Sequence, residues 1–166
     1  MTFKTVRLDT PHNREHFSCG KDSLDSYLKK QVNQDIKRKL SACFVLEGDN
    51  NTIKGYYTLS NDSVPLSIVP EKIKKKIPAS YTNLPTTLLG RLAVDTRFHG
   101  QKFGELLLMD ALYRCYLLSG EIGSMAVIVD PLDDEAAAFY EQYGFILLDS
   151  GRMFLPMKTV AGLFKS

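Results

Sequence analysis

Gly100 and Gly104 lie four residues apart at the point where the chain changes its hydrophobic rhythm. Before them, Leu88, Leu89, Leu92 and Val94 form an apolar run that reads as a buried strand. After them, from Phe103 onward, Leu106, Leu107, Ala111 and Leu112 recur at helical spacing. A strand, a glycine-bearing loop over Asp95–Lys102 and a helix, in that order, make an anion site. Successive backbone N–H groups converge at the helix start, and the helix macrodipole favours negative charge there. Glycine lets the backbone come close to a ligand or to a neighbouring strand. The same order also suits an ordinary strand–helix connection whose glycines serve only the turn, because isolated glycine-loop patterns recur by chance.

Other residues able to do chemistry are sparse. His12 and His16 lie four apart in a polar stretch interrupted by Pro11, with no third ligand nearby, and read as solvated loop histidines. Cys19, Cys43 and Cys115 are odd in number and lack CxxC spacing, so they indicate neither a disulfide framework nor a zinc site. Cys43 and Cys115 sit among apolar residues and read as core. No metal site is expected.

These residues need a scaffold. Thr5–Leu8 reads as a short first strand and residues 9–20 as a loop. A helix capped by Asp22 or Ser23 follows, with Leu24, Tyr27, Leu28, Val32 and Ile36 on its apolar face. Its polar side ends in Lys37, Arg38 and Lys39, which suits a helix C-terminus. Residues 43–46 and 53–60 flank a Gly48–Asn51 turn and predict an antiparallel hairpin. Val64–Val69 reads as a short strand interrupted by Pro65. Pro70 opens a short basic helix that Pro78 ends, and residues 79–86 read as a loop. Beyond the central helix come a strand at 125–129, parallel to the central strand, and a helix at 135–143 stopped by Gly144. A strand at 145–148, a turn at 149–151 and a strand at 152–157 complete the sheet, leaving 158–166 as a C-terminal tail. The expected architecture is a single α+β domain over residues 1–166 with a mixed sheet.

Composition fits that scaffold. With 166 residues, 44% hydrophobic and 24% charged, the chain suits one globular domain with a sizeable core. A net charge of +2 is too small to announce a nucleic-acid binder by itself. No apolar run approaches the roughly 20 residues that span a bilayer, and the first residues lack a signal-peptide apolar region. A reduced, cytoplasmic protein with no membrane partner is the expectation.

At this point the sequence resembles the GNAT acetyltransferase superfamily, over nearly its whole length. The segment His99-Gly100-Gln101-Lys102-Phe103-Gly104 is similar to that superfamily's acyl-CoA motif, Gln/Arg-x-x-Gly-x-Gly/Ala, placed between a strand and a helix. The run Ala136 to Phe145 resembles its closing pattern, an alanine-rich helix ending in tyrosine and then Gly-Phe. Each motif alone is unspecific; both together, in order and on the right elements, are specific. A narrower similarity joins Phe17–Gly20, Leu24–Leu28, Gly55–Ser60 and Gly90–Asp95 to the bacterial toxin-type branch. Characterised members of that branch acetylate the α-amine of aminoacyl-tRNA and are usually paired with a ribbon-helix-helix antitoxin.

The resemblance implies a GNAT-like, mostly antiparallel sheet with a splayed parallel pair, flanked by helices, and acetyl-CoA as cosubstrate. It implies that backbone groups of Leu92, Ala93 and Val94 hold the pantetheine arm, and that a backbone N–H near Val94 polarises the thioester carbonyl. It further implies a cofactor-binding loop over His99, Gly100, Gln101, Lys102, Phe103, Gly104 and Glu105, the pyrophosphate lying on the N–H groups of Gln101 to Glu105. Tyr140 is the implied acid for the departing thiolate, with Tyr143 as the alternative. Asp133 stands where many relatives carry an Asn that touches the cofactor. Members of the superfamily often form homodimers. Two residues depart from the pattern. His99 replaces the leading Gln or Arg, and Lys102 replaces the first glycine of the pair. A lysine there donates its N–H normally at negative φ, and strains the loop if φ is positive.

Three functions follow as expectations. The first is an N-acetyltransferase for aminoacyl-tRNA. Lys29, Lys30, Lys37, Arg38, Lys39 and the Lys72–Lys76 cluster would neutralise phosphates, and Tyr56 and Tyr57 would line the acceptor cleft. The second is an acetyltransferase for a small amine, peptide or protein lysine, with the basic clusters merely solvated. The third is a non-catalytic module that keeps the fold and binds CoA or a partner protein; Lys102 is the residue that keeps it open.

Overall fold

The computed structural model describes residues 2–165. It contains β1 (Val6–Arg7), α1 (Asp22–Ser26), a π-helical turn (Tyr27–Gln31), α2 (Val32–Lys37), β2 (Ala42–Glu47), β3 (Ile53–Pro65) and α3 (Glu71–Lys74). There follow β4 (Asn83–Val94), α4 (Phe103–Leu118), β5 (Ala126–Val129), α5 (Asp134–Gln142), β6 (Ile146–Leu147), β7 (Met153–Pro156) and α6 (Met157–Phe164). The strands form one sheet in the order β1-β2-β3-β4-β5-β7-β6. Pairing is antiparallel for β1/β2, β2/β3, β5/β7 and β6/β7, and parallel for β4/β5, in the register Thr87↔Val127 and Leu88↔Ile128. That short register ends before Leu92–Val94, which run on past their parallel partner. The α+β mixed sheet with one parallel pair is as the sequence implied.

The chain divides into two compact units, Met1–Ser60 with Gly90–Ala111, and Asn61–Leu89 with Leu112–Ser166. The first unit is built on a cluster that includes Phe17, Tyr27, Leu28, Val32, Tyr56 and Ala93. Its helix is not regular. Leu24, Leu28, Val32 and Ile36 recur every four residues, which in a 3.6-residue helix drifts by about 40° per step. The π turn at Tyr27–Gln31 takes up that drift, so Tyr27, Leu28 and Val32 are all buried. Neither Asp22 nor Ser23 caps the helix. Lys21 holds the N-cap position without a side-chain capping bond, and the Asp25 carboxylate accepts the Cys19 N–H at 2.8 Å. Cys43 and Cys115 are core residues as expected.

One polar knot lies inside this unit. Asp110, fully buried on α4, accepts from the Lys4 N–H at 2.6 Å, the Thr5 hydroxyl and the Tyr57 hydroxyl at 2.8 Å. It ties the start of the chain and β3 to the middle of α4, satisfying a charge that would otherwise be costly to bury.

The second unit packs Val64, Leu84, Ala126, Ile128 and Phe154 together. Several sequence boundaries change here. There is no separate strand at 64–69, because β3 runs on to Pro65 and a 3₁₀ turn covers Leu66–Ile68. The basic helix spans only Glu71–Lys74. Residues 83–86 belong to β4 rather than to a loop; Pro85, which has no N–H to donate, serves as acceptor for the Met125 N–H at 2.9 Å. The tail expected at 158–166 is helical from Met157 to Phe164. Met157 and Val160 are buried, and Phe164 contacts the rings of Tyr113 and Tyr116 at 5.1 and 6.0 Å. Burial of that face gives so short a helix its stability.

Candidate active site

The β4–α4 connection is held at both ends. Asp95, almost inaccessible to solvent, follows the strand directly and caps the 3₁₀ turn Thr96–Phe98. Its carboxylate accepts the N–H groups of Ser18 (3.1 Å) and Arg97 (2.8 Å) and a two-point contact from the Arg97 guanidinium (2.9 and 3.0 Å). Burial alone would raise the Asp95 pKa. The bonds from the Arg97 side chain and from the two backbone N–H groups outweigh it and hold the carboxyl below its ordinary range. His99 donates from Nε2 to the Val94 carbonyl at 2.7 Å, latching the loop back onto the strand. Phe98 and Phe103 meet edge to face at 6.4 Å, and the Lys54 ammonium lies 5.5 and 5.2 Å from their ring centroids.

Between these anchors the backbone turns through two left-handed residues, Gly100 at φ +79° and Lys102 at φ +62°. The Lys102 carbonyl accepts the first helical bond, from the Leu106 N–H at 3.1 Å. The N–H groups of Gln101, Lys102, Phe103, Gly104 and Glu105 have no acceptor among the described residues. Five consecutive donors at the start of a 16-residue helix are the geometry an anion needs, so the residues present suit a pyrophosphate. Lys102 has the positive φ at which a side chain is strained, a conformation that glycine adopts freely.

Leu92, Ala93 and Val94 form the last residues of β4. Their spacing from β3 is set at Gly55, where an added Cβ would lie 2.8 Å from the Ala93 carbonyl oxygen and 2.7 Å from Leu107 Cδ1. A glycine is required there by close approach of backbone to backbone.

Tyr140 belongs to the second unit. It lies on α5, whose first turn is capped by Asp133, the Oδ1 atom accepting the Ala136 N–H at 2.9 Å. The structural task of Asp133 is therefore to fix the helix that carries Tyr140. The Tyr140 ring is buried against Phe139 and Phe145, with centroids 5.3 Å away in both cases. No group among the described residues hydrogen-bonds its hydroxyl. Burial raises its pKa well above the ordinary tyrosine value, which keeps the proton in place through neutral and moderately alkaline pH. Tyr143, the alternative acid, is partly exposed just past the end of α5 and meets Phe139 edge to face.

Two sequence expectations fail. Tyr56 and Tyr57 line no cleft. Both are fully buried, Tyr56 donating to the Leu24 carbonyl at 2.7 Å and Tyr57 to Asp110. β3 is covered on both faces in the first unit, so successive side chains both enter the interior. His12 is not solvated either: it is buried, with Nδ1 accepting the Asp9 N–H and Nε2 facing Glu47, each at 2.9 Å. His16 is exposed, as expected.

Comparison with known proteins identifies the family. The family model described as "Acetyltransferase (GNAT) domain" matches residues 39–147. A "tRNA-acetylating toxin" of Mycobacterium tuberculosis (strain ATCC 25618 / H37Rv) is 36% identical over 149 residues, covering 89% of this chain and 87% of that one. A solved structure of AtaT complexed with acetyl-methionyl-tRNAfMet is 29% identical with a TM-score of 0.89, covering 97% and 98% of the two chains. A variant of the AtaT toxin bound to the C-terminus of the antitoxin AtaR and acetyl-CoA is 26% identical with a TM-score of 0.82, covering 98% of each chain. With about two thirds of its length under that family model, the chain belongs to the GNAT family of acetyltransferases.

Proposed function

We propose that this acetyltransferase moves acetyl from acetyl-CoA to the α-amine of an aminoacyl-tRNA, as the toxin of a toxin–antitoxin pair. The observation that carries the cofactor half is the row of five unpaired N–H groups from Gln101 to Glu105. The acceptor half is supported by likeness to a tRNA-acetylating toxin and by the exposed Lys29, Lys30, Lys37, Arg38 and Lys39 of the first unit. Such a partnership places the protein in the cytoplasm, where charged tRNA is found, and a ribbon-helix-helix antitoxin fits the same reading.

Acetyl-CoA supplies an activated thioester. The chain's residues bind and orient it: the loop N–H groups take the pyrophosphate, and backbone groups of Leu92–Val94 run beside the pantetheine amides. A backbone N–H near Val94 donates to the carbonyl oxygen as charge develops there. The acceptor nitrogen forms the new C–N bond, the C–S bond breaks, and the Tyr140 hydroxyl gives its proton to the departing sulfur. The excess proton on nitrogen passes to water, and Tyr140 recovers its own from solvent. Asp133 acts through α5 by capping it.

Incubation with labelled acetyl-CoA and charged tRNA tests the proposal. Label is expected on the aminoacyl group, with none on deacylated tRNA. Equal or preferred labelling of a polyamine or a lysine peptide would overturn the acceptor assignment. Lys102 at φ +62° specifically favours a second reading, a non-catalytic module with a weakened cofactor site. Calorimetric titration decides between the two. Micromolar binding of acetyl-CoA removes the second reading, and a folded protein that gives no heat of binding supports it.

A further inference from the structure

Arg91 stands one residue before the Leu92–Val94 segment of β4, at the end away from the loop. Its guanidinium carbon lies over the Tyr27 ring, 3.5 Å from the centroid. Yet no carboxylate, carbonyl or hydroxyl among the described residues accepts from it. Arg97 and Arg152 behave differently: Arg97 is bidentate to Asp95, and Arg152 bridges Asp62 and Asp130. Arg91 is a partly exposed cation, fixed in orientation, with the edge of its donor fork unused.

The platform is itself fixed. Tyr27 is buried, and its hydroxyl donates to Asp35 at 2.8 Å. It opens the π turn, which rotates the helix enough to bring the ring under β4 while Leu28 stays buried. Contact with the ring removes rotamer freedom from the arginine before any ligand arrives and uses the face of the guanidinium, leaving its in-plane N–H donors, which match phosphate oxygens, unused.

We infer that Arg91, held by Tyr27, is a phosphate-binding residue for the nucleic-acid acceptor, seating a phosphate near its aminoacylated end. The inference rests on the proposed function. Under that reading the cofactor's pyrophosphate lies on the N–H groups of Gln101–Glu105, beyond the opposite end of Leu92–Val94. Arg91 stands about 10 Å of strand upstream of Val94, away from the pyrophosphate loop and so clear of the cofactor's phosphates under that reading. Lys29, Lys30 and Lys37 on the same helix as Tyr27 supply the diffuse charge, and Arg91 supplies the oriented contact.

Binding of charged tRNA is measured over a range of salt for the wild type and for Arg91→Met, Arg91→Lys and Tyr27→Leu, alongside calorimetry with acetyl-CoA. Arg91→Met is expected to weaken tRNA binding about tenfold and lower the log–log salt slope by about one, with acetyl-CoA affinity within about twofold of wild type. Arg91→Lys is expected to restore the slope but only part of the affinity, since an ammonium neither stacks flat nor binds bidentately. It also serves if the methionine variant does not fold. Tyr27→Leu is expected to weaken tRNA binding in the same direction, by less. Weaker acetyl-CoA binding with tRNA unaffected would assign Arg91 to a cofactor phosphate and overturn the inference, as would no change in either ligand. A wild type that neither binds nor acetylates charged tRNA overturns the proposed function itself, and does so before any variant is made.

Discussion

The β4–α4 turn and helix α5, one in each compact unit, are built from opposite materials for the two roles proposed for them. The turn is exposed, works through backbone N–H groups, and is held by polar latches: Asp95 to Ser18 and Arg97, and His99 to the Val94 carbonyl. Helix α5 offers one side chain for its proposed role, Tyr140, buried by Phe139 and Phe145, with a hydroxyl that nothing in the described chain restrains. A site made of backbone tolerates changes of side chain and is sensitive to φ. A site made of a side-chain atom is indifferent to backbone detail and fails when that atom is removed.

The largest test of that contrast is Tyr140→Phe. Removing an acid that meets the leaving group is expected to lower turnover by about 10²- to 10⁴-fold. Stability should change by less than about 0.5 kcal/mol, because the lost hydroxyl has no partner. Steady-state kinetics, acetyl-CoA calorimetry and urea unfolding on the same sample check all three, and unchanged turnover would remove Tyr140 as the acid. Because burial raises the Tyr140 pKa, the wild-type rate should show no alkaline limb from this residue up to about pH 10, the ordinary tyrosine value.

On the turn side, the corresponding break is to crowd the backbone. Gly55→Ala places a Cβ 2.8 Å from the Ala93 carbonyl oxygen, which cannot yield without shifting β4. Overpacking of this kind is expected to cost about 1–3 kcal/mol. Denaturant unfolding reads that loss, and calorimetry should show weakened acetyl-CoA binding with it.

The Asp95 latch has a pH signature. A carboxyl held below its ordinary value stabilises the fold fully above its unfolded pKa, near 3.9, and loses that contribution as pH falls through the lower folded value. Asp95→Asn lacks the contribution at every pH. Its stability deficit against wild type should be full at pH 7 and shrink below about pH 4, as unfolding at a series of pH values would show. A deficit that persists unchanged into acid would mean the aspartate acts by shape rather than by charge.

The same contrast governs what the sequence could tell. The turn announced itself because glycine marks backbone geometry directly, and α4 followed from its apolar repeat. Tyr140 had no such signal: an aromatic on a short helix is ordinarily core, and only the family pattern around it pointed to chemistry. Tyr56 and Tyr57 show the converse error, since adjacent residues on a strand suggest one face outward, and β3 is covered on both. Two further signals lie in the sequence. Leu24, Leu28, Val32 and Ile36 repeat every four residues, which suits a π turn, and Val160, Ala161 and Phe164 fall at helical spacing inside the expected tail. The Asp133 cap is a local signal, an aspartate three residues before the N–H it accepts, whereas the extension of β3 past Ser60 does not show in local pattern.

The smallest expected effect bears most directly on the contrast. Gly100 and Lys102 adopt nearly the same left-handed φ, +79° and +62°, yet only one is glycine. A left-handed residue with a Cβ carries roughly 1–2 kcal/mol of strain, while glycine gains part of that back for the unfolded chain through its greater freedom. Lys102→Gly is therefore expected to stabilise the protein by about 1 kcal/mol or slightly less. Because the N–H groups that face the anion belong to the backbone, acetyl-CoA affinity should be kept or increased. Thermal unfolding and calorimetry measure the two effects separately. A variant that is more stable but binds acetyl-CoA more weakly would show that the Lys102 ammonium reaches a cofactor phosphate, and that this one position in the turn acts through its side chain as Tyr140 does.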